Sequence, residues 1–226
     1  MPRPSKRKAA PSADVDLSVS PASKKSRTKQ INKVDHLFDR YSNKSMDLID
    51  PAGIESLCTD LGVLHTDIKI LMLAWKMKSE KQGYFSKDEW RRGLKCLGVD
   101  TLPKLKKSVL GLDQEVMKSG YFEEFYIYAF QYCLTEDMQR SVDIETICEL
   151  LNIVLGPQFP TQVNLLIEYL KIQNDYRAIN QDQWSSFYRF FKEVSFSELE
   201  SYDSTLAWPV ILDTFVEWLK ERVNKS

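Results

Sequence analysis

The chain has 226 residues, 43% of them apolar and 12% aromatic, enough to bury one substantial core or two small lobes sharing an interface. Its net charge of −1 conceals an asymmetry: residues 1–30 carry 8 Lys/Arg against 2 Asp, a net of +6, so the remainder carries −1 − 6 = −7. A basic tail on an acidic body is expected, and the absence of any run of about 18 apolar residues excludes a membrane-spanning helix.

Residues 1–30 combine Pro, Ser, Ala and Lys without an aromatic residue, a composition that cannot offset the entropy of ordering, so a disordered tail is expected there. The chain opens with charge and proline instead of an apolar h-region, and no secretory signal is expected. Within the tail, Lys6, Arg7 and Lys8 and then Lys24, Lys25 and Arg27 form two basic clusters with a spacer, the pattern a nuclear import receptor reads. The alternative is a solubilising or weakly nucleic-acid-binding tail.

From Ile31 onward every segment reads helical, and none alternates with period two long enough to claim a sheet. The expected class is all-α. Ile54, Leu57, Cys58 and Leu61 make one stripe. The helix over 66–78 carries two, Ile68, Leu71, Met72 and Trp75 on one side and Ile70, Leu73, Ala74 and Met77 roughly opposite. Such a helix is either buried on both faces or offers one to a partner.

Lys78 to Glu89 follows, with the skeleton of an EF-hand loop: Gly83 at position six, Phe85 at position eight, Glu89 at position twelve. Calcium needs hard oxygens at positions one, three and five, which here are Lys78, Glu80 and Gln82, so the loop is expected to keep the geometry without the metal. A weaker partner loop is expected around Asp39 to Asp50. Further on, the aromatic run Phe122, Phe125, Tyr126, Tyr128, Phe130 and Tyr132 suits a core or the wall of a groove. Ile144, Ile147, Leu151 and Val154 form a stripe ended by Gly156-Pro157, and Asn180 with Gln183 makes a capping pair before Trp184, Phe187, Tyr188 and Phe191. In the last helix Leu212, Phe215, Val216 and Leu219 face the core, with Asp213 and Glu217 opposite and Pro209 in the first turn.

Catalytic chemistry is not expected. His36 and His65 share no metal-ligand spacing, no glycine-rich phosphate loop occurs, and the cysteines Cys58, Cys96, Cys133 and Cys148 lack C-x-x-C spacing and read as small buried hydrophobes in a reducing compartment. Residues 141–226 hold 13 Asp/Glu against 7 Lys/Arg, a net of −6 that would steer a basic partner surface.

Three blocks, LAWK at Leu73–Lys76, FSKDEW at Phe85–Trp90 and YDSTLAWPVILDTFVEW at Tyr202–Trp218, resemble the defective-in-cullin-neddylation family, whose members carry a potentiating-neddylation domain. The resemblance covers essentially all of Ile31 to Arg222. It implies an all-helical domain over 31–226, an EF-hand-like lobe over 31–135 and a cullin-binding lobe over 136–226. It also implies a non-catalytic co-ligase without cofactors, a monomer outside its complex. Such a protein would hold a cullin's C-terminal winged-helix region, with its RING subunit, beside the neddylation conjugating enzyme, and so activate cullin-RING ubiquitin ligases. The implied cullin contacts are Asp182, Ala207 and Asp213. The conjugating enzyme's acetylated N-terminal methionine would fill a pocket of Ile54, Ile70, Leu73, Ala74, Gln82, Phe85, Tyr132, Leu150 and Ile153. Three of these lie on the second stripe of the 66–78 helix. Residence in the nucleus is expected, with the cytoplasm also allowed. The competing readings are a calcium sensor derived from EF-hands, another nuclear helical adaptor, and a nucleic-acid-binding protein using the tail, against which the acidic body argues.

Overall fold

The structure, a computed structural model, describes residues 21–118, 120–196 and 202–224. In its first half, α1 (Pro21–Tyr41), β1 (Leu48–Ile49), α2 (Pro51–Leu61), α3 (Ile68–Met77), β2 (Phe85–Ser86) and α4 (Lys87–Leu97) lead through α5 (Leu102–Leu110) and α6 (Leu112–Val116) to α7 (Tyr121–Tyr132). The second half runs β3 (Ser141–Asp143), α8 (Ile144–Val154), α9 (Pro160–Ile172), β4 (Ala178–Asn180), α10 (Gln181–Glu193) and α11 (Val210–Asn224). The fold is therefore mostly helical, as the periodicities require.

One device recurs four times. A buried apolar residue joins a strand of two or three residues, and the polar residue after it caps the next helix by accepting the N–H of the third helical residue. The pairs are Ile49 with Asp50, Phe85 with Ser86, Val142 with Asp143, and Ile179 with Asn180, capping α2, α4, α8 and α10. Antiparallel pairing sets Ile49 opposite Phe85 and Val142 opposite Ile179, so each half closes two helix–loop–helix units around one apolar pair. Both α4 and α10 carry full capping boxes, the second being the Asn180–Gln183 pair. These strands are too short for alternation to reveal them in the sequence.

The strand register corrects the partner loop. Asp47 and Gly83, each two residues before the paired apolar residue, both have positive φ, 52° and 78°. The loop facing Lys78–Glu89 thus runs Ser42–Gly53, three residues later than the spacing of oxygen donors suggests. Its last position is Gly53, where an added Cβ would stand 2.1 Å from the Tyr41 carbonyl oxygen and 2.9 Å from Ile49 Cγ2.

The tail boundary is corrected as well. Helix α1 begins at Pro21, so residues 21–30 belong to it. Proline suits a first helical turn, and Ala, Lys, Arg and Gln are good helix formers that extend an anchored segment at little cost. The anchor is Val34, Leu37, Phe38 and Tyr41, at i, i+3, i+4, i+7 and all buried. Trp90 Nε1 donates to the Val34 carbonyl at 3.0 Å, and Arg91 grips Asp35 through two bonds of 2.7 and 2.6 Å. That guanidinium holds the Asp35 carboxyl below the usual range. The cluster Lys6, Arg7, Lys8 lies outside the described residues, and Lys24, Lys25 and Arg27 fall on the first turns of α1.

The halves meet where α7 crosses α10. Tyr126 OH donates to the Trp184 carbonyl at 2.7 Å, Trp184 Nε1 donates to the Tyr126 carbonyl at 2.9 Å, and the rings stack at 4.4 Å and 10°. Burial pushes the Tyr126 phenol far up. Cys58 and Cys148 are buried as expected and Cys133 half-buried, but Cys96, near the end of α4, is exposed because it falls on the helix's polar face.

Gly53→Ala is expected to destabilise the protein by about 2 kcal/mol, the ordinary cost of forcing a methyl into a filled space. Urea unfolding at constant m-value measures it, and an unchanged midpoint would contradict the close approach of α1 to α2.

Candidate partner-binding sites

Between α2, α3, the β2 loop, the end of α7 and α8 lies a cavity of about 340 Å³. Its interior is formed by Ile54, Ile68, Ile70, Leu71, Ala74, Phe85, Leu150 and Ile153. The exposed Glu55, His65, Thr66 and Glu149 stand at its mouth with Asp67, and no lysine or arginine is among its lining residues. The cavity is therefore apolar inside and acidic at the lip. It lies between the two halves and is not confined to the first.

Eight of the nine residues assigned to a pocket from the sequence line this cavity: Ile54, Ile70, Ala74, Gln82, Phe85, Tyr132, Leu150 and Ile153. Leu73 does not. It is fully buried in the core beside Met72 and Met77, because α3 packs closely on α4 through Gly93. The two stripes of α3 thus divide differently from the sequence reading: Ile68 and Leu71 of the first join Ile70 and Ala74 of the second at the cavity. Their i, i+3 spacing was the available signal, and burial against a partner element decided which rows turned inward.

The aromatic run of α7 is core except at its end. Phe122, Phe125, Tyr126 and Phe130 are buried, whereas Tyr132 reaches the cavity and stacks on Tyr128 at 5.4 Å. The Tyr132 hydroxyl accepts the Gly83 N–H at 3.3 Å, and burial raises its pKa. Tyr128 donates to the Ser79 carbonyl at 2.9 Å, so two phenols tie the Ser79–Gly83 loop to α7. Asn43, Asp50 and Glu89 of the two loops are engaged internally. Glu89 Oε1 accepts the Glu80 N–H at 2.9 Å and Oε2 accepts the Ser86 N–H at 2.6 Å. In the facing loop, Asn43 donates to Asp50 at 2.8 Å and accepts from Ser45. Among the described residues no cluster of three or more His, Cys, Asp or Glu is placed to hold a metal.

The second surface is built on α10 and α11. Leu212, Phe215, Val216 and Leu219 are buried and Glu217 is exposed, as the periodicity requires, while Pro209 sits just ahead of the helix. Phe190 gathers the rings of Phe196, Tyr202, Trp208 and Phe215 within 6.1 Å. Asp182 is exposed in the first turn of α10 and Ala207 is exposed before α11. Asp213 is half-buried, because the Tyr202 hydroxyl donates to its carboxylate. That contact and burial raise the Tyr202 phenol well above its ordinary value, burial contributing most. The Trp208 ring, next to Ala207, lies under Arg189 at 4.4 Å, and Arg189 is seven residues from Asp182 on the same face of α10. The sequence reading missed Arg189 and Tyr202, whose distant contacts no local spacing announces.

A family model described as cullin binding matches residues 104–218, which include α10, α11 as far as Trp218, and the α7 and α8 walls of the cavity. The chain is 38% identical to human DCN1-like protein 5 over 176 residues, 78% of this chain and 73% of that protein. This chain belongs to the DCN1-like family. Two further DCN1-like relatives extend the match over nearly all of it: DCN1-like protein 4 of Danio rerio, 34% identical over 97% of this chain and 81% of its own, and DCN1-like protein 2 of Dictyostelium discoideum, 32% identical over 91% and 84%. The resemblance drawn from the three sequence blocks therefore holds over nearly all of the chain.

Tyr132→Phe keeps the aromatic wall and leaves the Gly83 N–H without its acceptor. A loss of about 1 kcal/mol is expected, together with faster amide exchange at Gly83. Unaltered exchange there would show that the phenol does not hold the loop.

Proposed function

We propose that this protein is a non-catalytic co-ligase of cullin neddylation. The observation that carries the reading is the convergence of eight residues, scattered from Ile54 to Ile153, on one apolar cavity in a chain of the DCN1-like family. An apolar cavity of this size fits the acetylated N-terminal methionine of the neddylation conjugating enzyme: removing the terminal positive charge lets the chain end enter an uncharged space. The acidic lip then favours a basic continuation of the same segment.

The α10–α11 surface, with Asp182, Ala207 and Asp213, takes the cullin's C-terminal winged-helix region, carrying its RING subunit alongside. The net charge of −6 over residues 141–226 supports steering by basic groups. Binding both partners at once raises the effective concentration of the thioester beside the acceptor lysine. No nucleophile or general acid is asked of this chain. The paired loops at β1 and β2 are read as EF-hand-derived, their carboxylates tying backbone in place of an ion. The basic clusters at 6–8 and 24–27 are read as nuclear-import signals, and a full chain with both neutralised should lose nuclear accumulation.

Calorimetry tests the two contacts separately. The full chain should bind a cullin winged-helix fragment, and Asp213→Lys with Ala207→Arg should weaken it at least about ten-fold in a protein that circular dichroism shows to be still folded. An acetylated methionine peptide from the conjugating enzyme should bind, its unacetylated form should not, and Ala74→Arg should abolish the first without affecting cullin affinity. Equal binding of both peptides would sink the pocket assignment.

A further inference from the structure

The α10 face that bears Asp182 also bears a cation, set about 10 Å along the helix from it. Arg189 lays its guanidinium over the Trp208 ring at 4.4 Å, and its Nε faces both oxygens of Glu193 at 3.2 and 3.1 Å. Its terminal nitrogens have no hydrogen-bond partner among the described residues, and the side chain is 48% exposed. Trp208 is 8% exposed, and its buried Nε1 has no acceptor among the described residues. No hydrogen bond there orients the indole; it is set by Phe190 at 5.7 Å, by Tyr202 at 6.3 Å and by the guanidinium above it. The cation is thus seated by its stem and ring contact, and its outward fork of donors is unspent.

The neighbouring acids are less free than the sequence suggests. Tyr202 engages the Asp213 carboxylate, Glu193 engages Arg189, and the exposed residues flanking Ala207 in sequence include the apolar Leu206 and Val210 beside Thr205. A partner surface that is uniformly basic would meet Arg189 as a like charge, a repulsion that Glu193 offsets in part from one side of the guanidinium.

We propose that Arg189 is a specificity residue of this surface: its two free terminal nitrogens take a carboxylate of the cullin fragment, so the partner must present an acid between basic groups. This rests on the cullin-binding reading. The planar fork matches a carboxylate with two parallel bonds, and the Trp208 ring fixes its position before the partner arrives. Arg189 therefore ranks cullins: a fragment with an acid at that position binds, and one with a lysine there is rejected.

The test is calorimetry of the full chain against a panel of cullin winged-helix fragments, with Arg189→Met, which keeps the stem over Trp208 and removes the charge, and Arg189→Glu, which reverses it. For the fragment that binds best, Arg189→Met should weaken affinity roughly ten-fold and Arg189→Glu further. The salt dependence should also change in the Met variant, which a purely structural role would not produce. If both variants bind within about two-fold of the parent while Asp213→Lys with Ala207→Arg does not bind, the cullin reading stands and the role of Arg189 falls. If the parent binds no fragment, the cullin reading falls and takes this inference with it. Should Arg189→Met melt early, Arg189→Gln decides, since it keeps a polar stem beside the ring and removes the charge: weakened binding in a folded protein supports the assignment, and binding within about two-fold of the parent overturns it.

Discussion

The rest of the molecule depends on the lock between Tyr126 and Trp184. Each side chain donates to the other's backbone carbonyl, and the two rings are stacked and buried. Two net hydrogen bonds of about 1 kcal/mol each and an aromatic pair worth roughly another add to the area buried. The larger effect is packing: loss of either ring removes one of the two cross-helix bonds and leaves an aromatic-sized void in a dry interior. Because α7 ends the first half and α10 belongs to the second, this lock fixes how the two sets of helix–loop–helix units face one another.

Both candidate sites inherit their geometry from that crossing. Toward its end α7 carries Tyr132 to the cavity, where the phenol meets the loop between α3 and α4, while α8 supplies the opposite wall with Leu150 and Ile153. The far end of α10 carries Phe190, around which Trp208, Tyr202 and the start of α11 assemble. A bridge between two partners needs its two grips at a constant separation, and a pair of helices crossed at a buried, fully bonded contact supplies it.

Much of the helical fold could be read from spacing alone, because an i, i+3, i+4, i+7 row states which side of a helix is dry. The rows at Ile54, Leu212 and Trp184 and the cap at Asn180 all hold in the structure. Spacing cannot state which of two dry sides meets the core, and the carry-over from the family put Leu73 in a pocket it does not line. Strands of two residues carry no period, so the register of Ile49 against Phe85, and with it the frame of the first loop, became visible only in the backbone. Composition judged residues 21–30 by what they can bury, whereas a helix propagates outward from an anchor without burying anything. The pocket residues all came from family resemblance, three of them also lying on the second stripe of α3, and contacts such as Arg189 over Trp208 join positions that no window of sequence spans.

Glu89 has a consequence for how such a protein is governed. Its carboxylate closes the loop by accepting the amides of Glu80 and Ser86, and the same loop lends Gln82, Gly83 and Phe85 to the cavity. A loop closed by a covalently attached anion has its closing group in place as soon as the chain folds. The cavity is in this sense a fixed fitting, and under the function proposed above control over what it holds passes to the occupant: to whether the incoming chain end has lost its charge, and to how much of it is present.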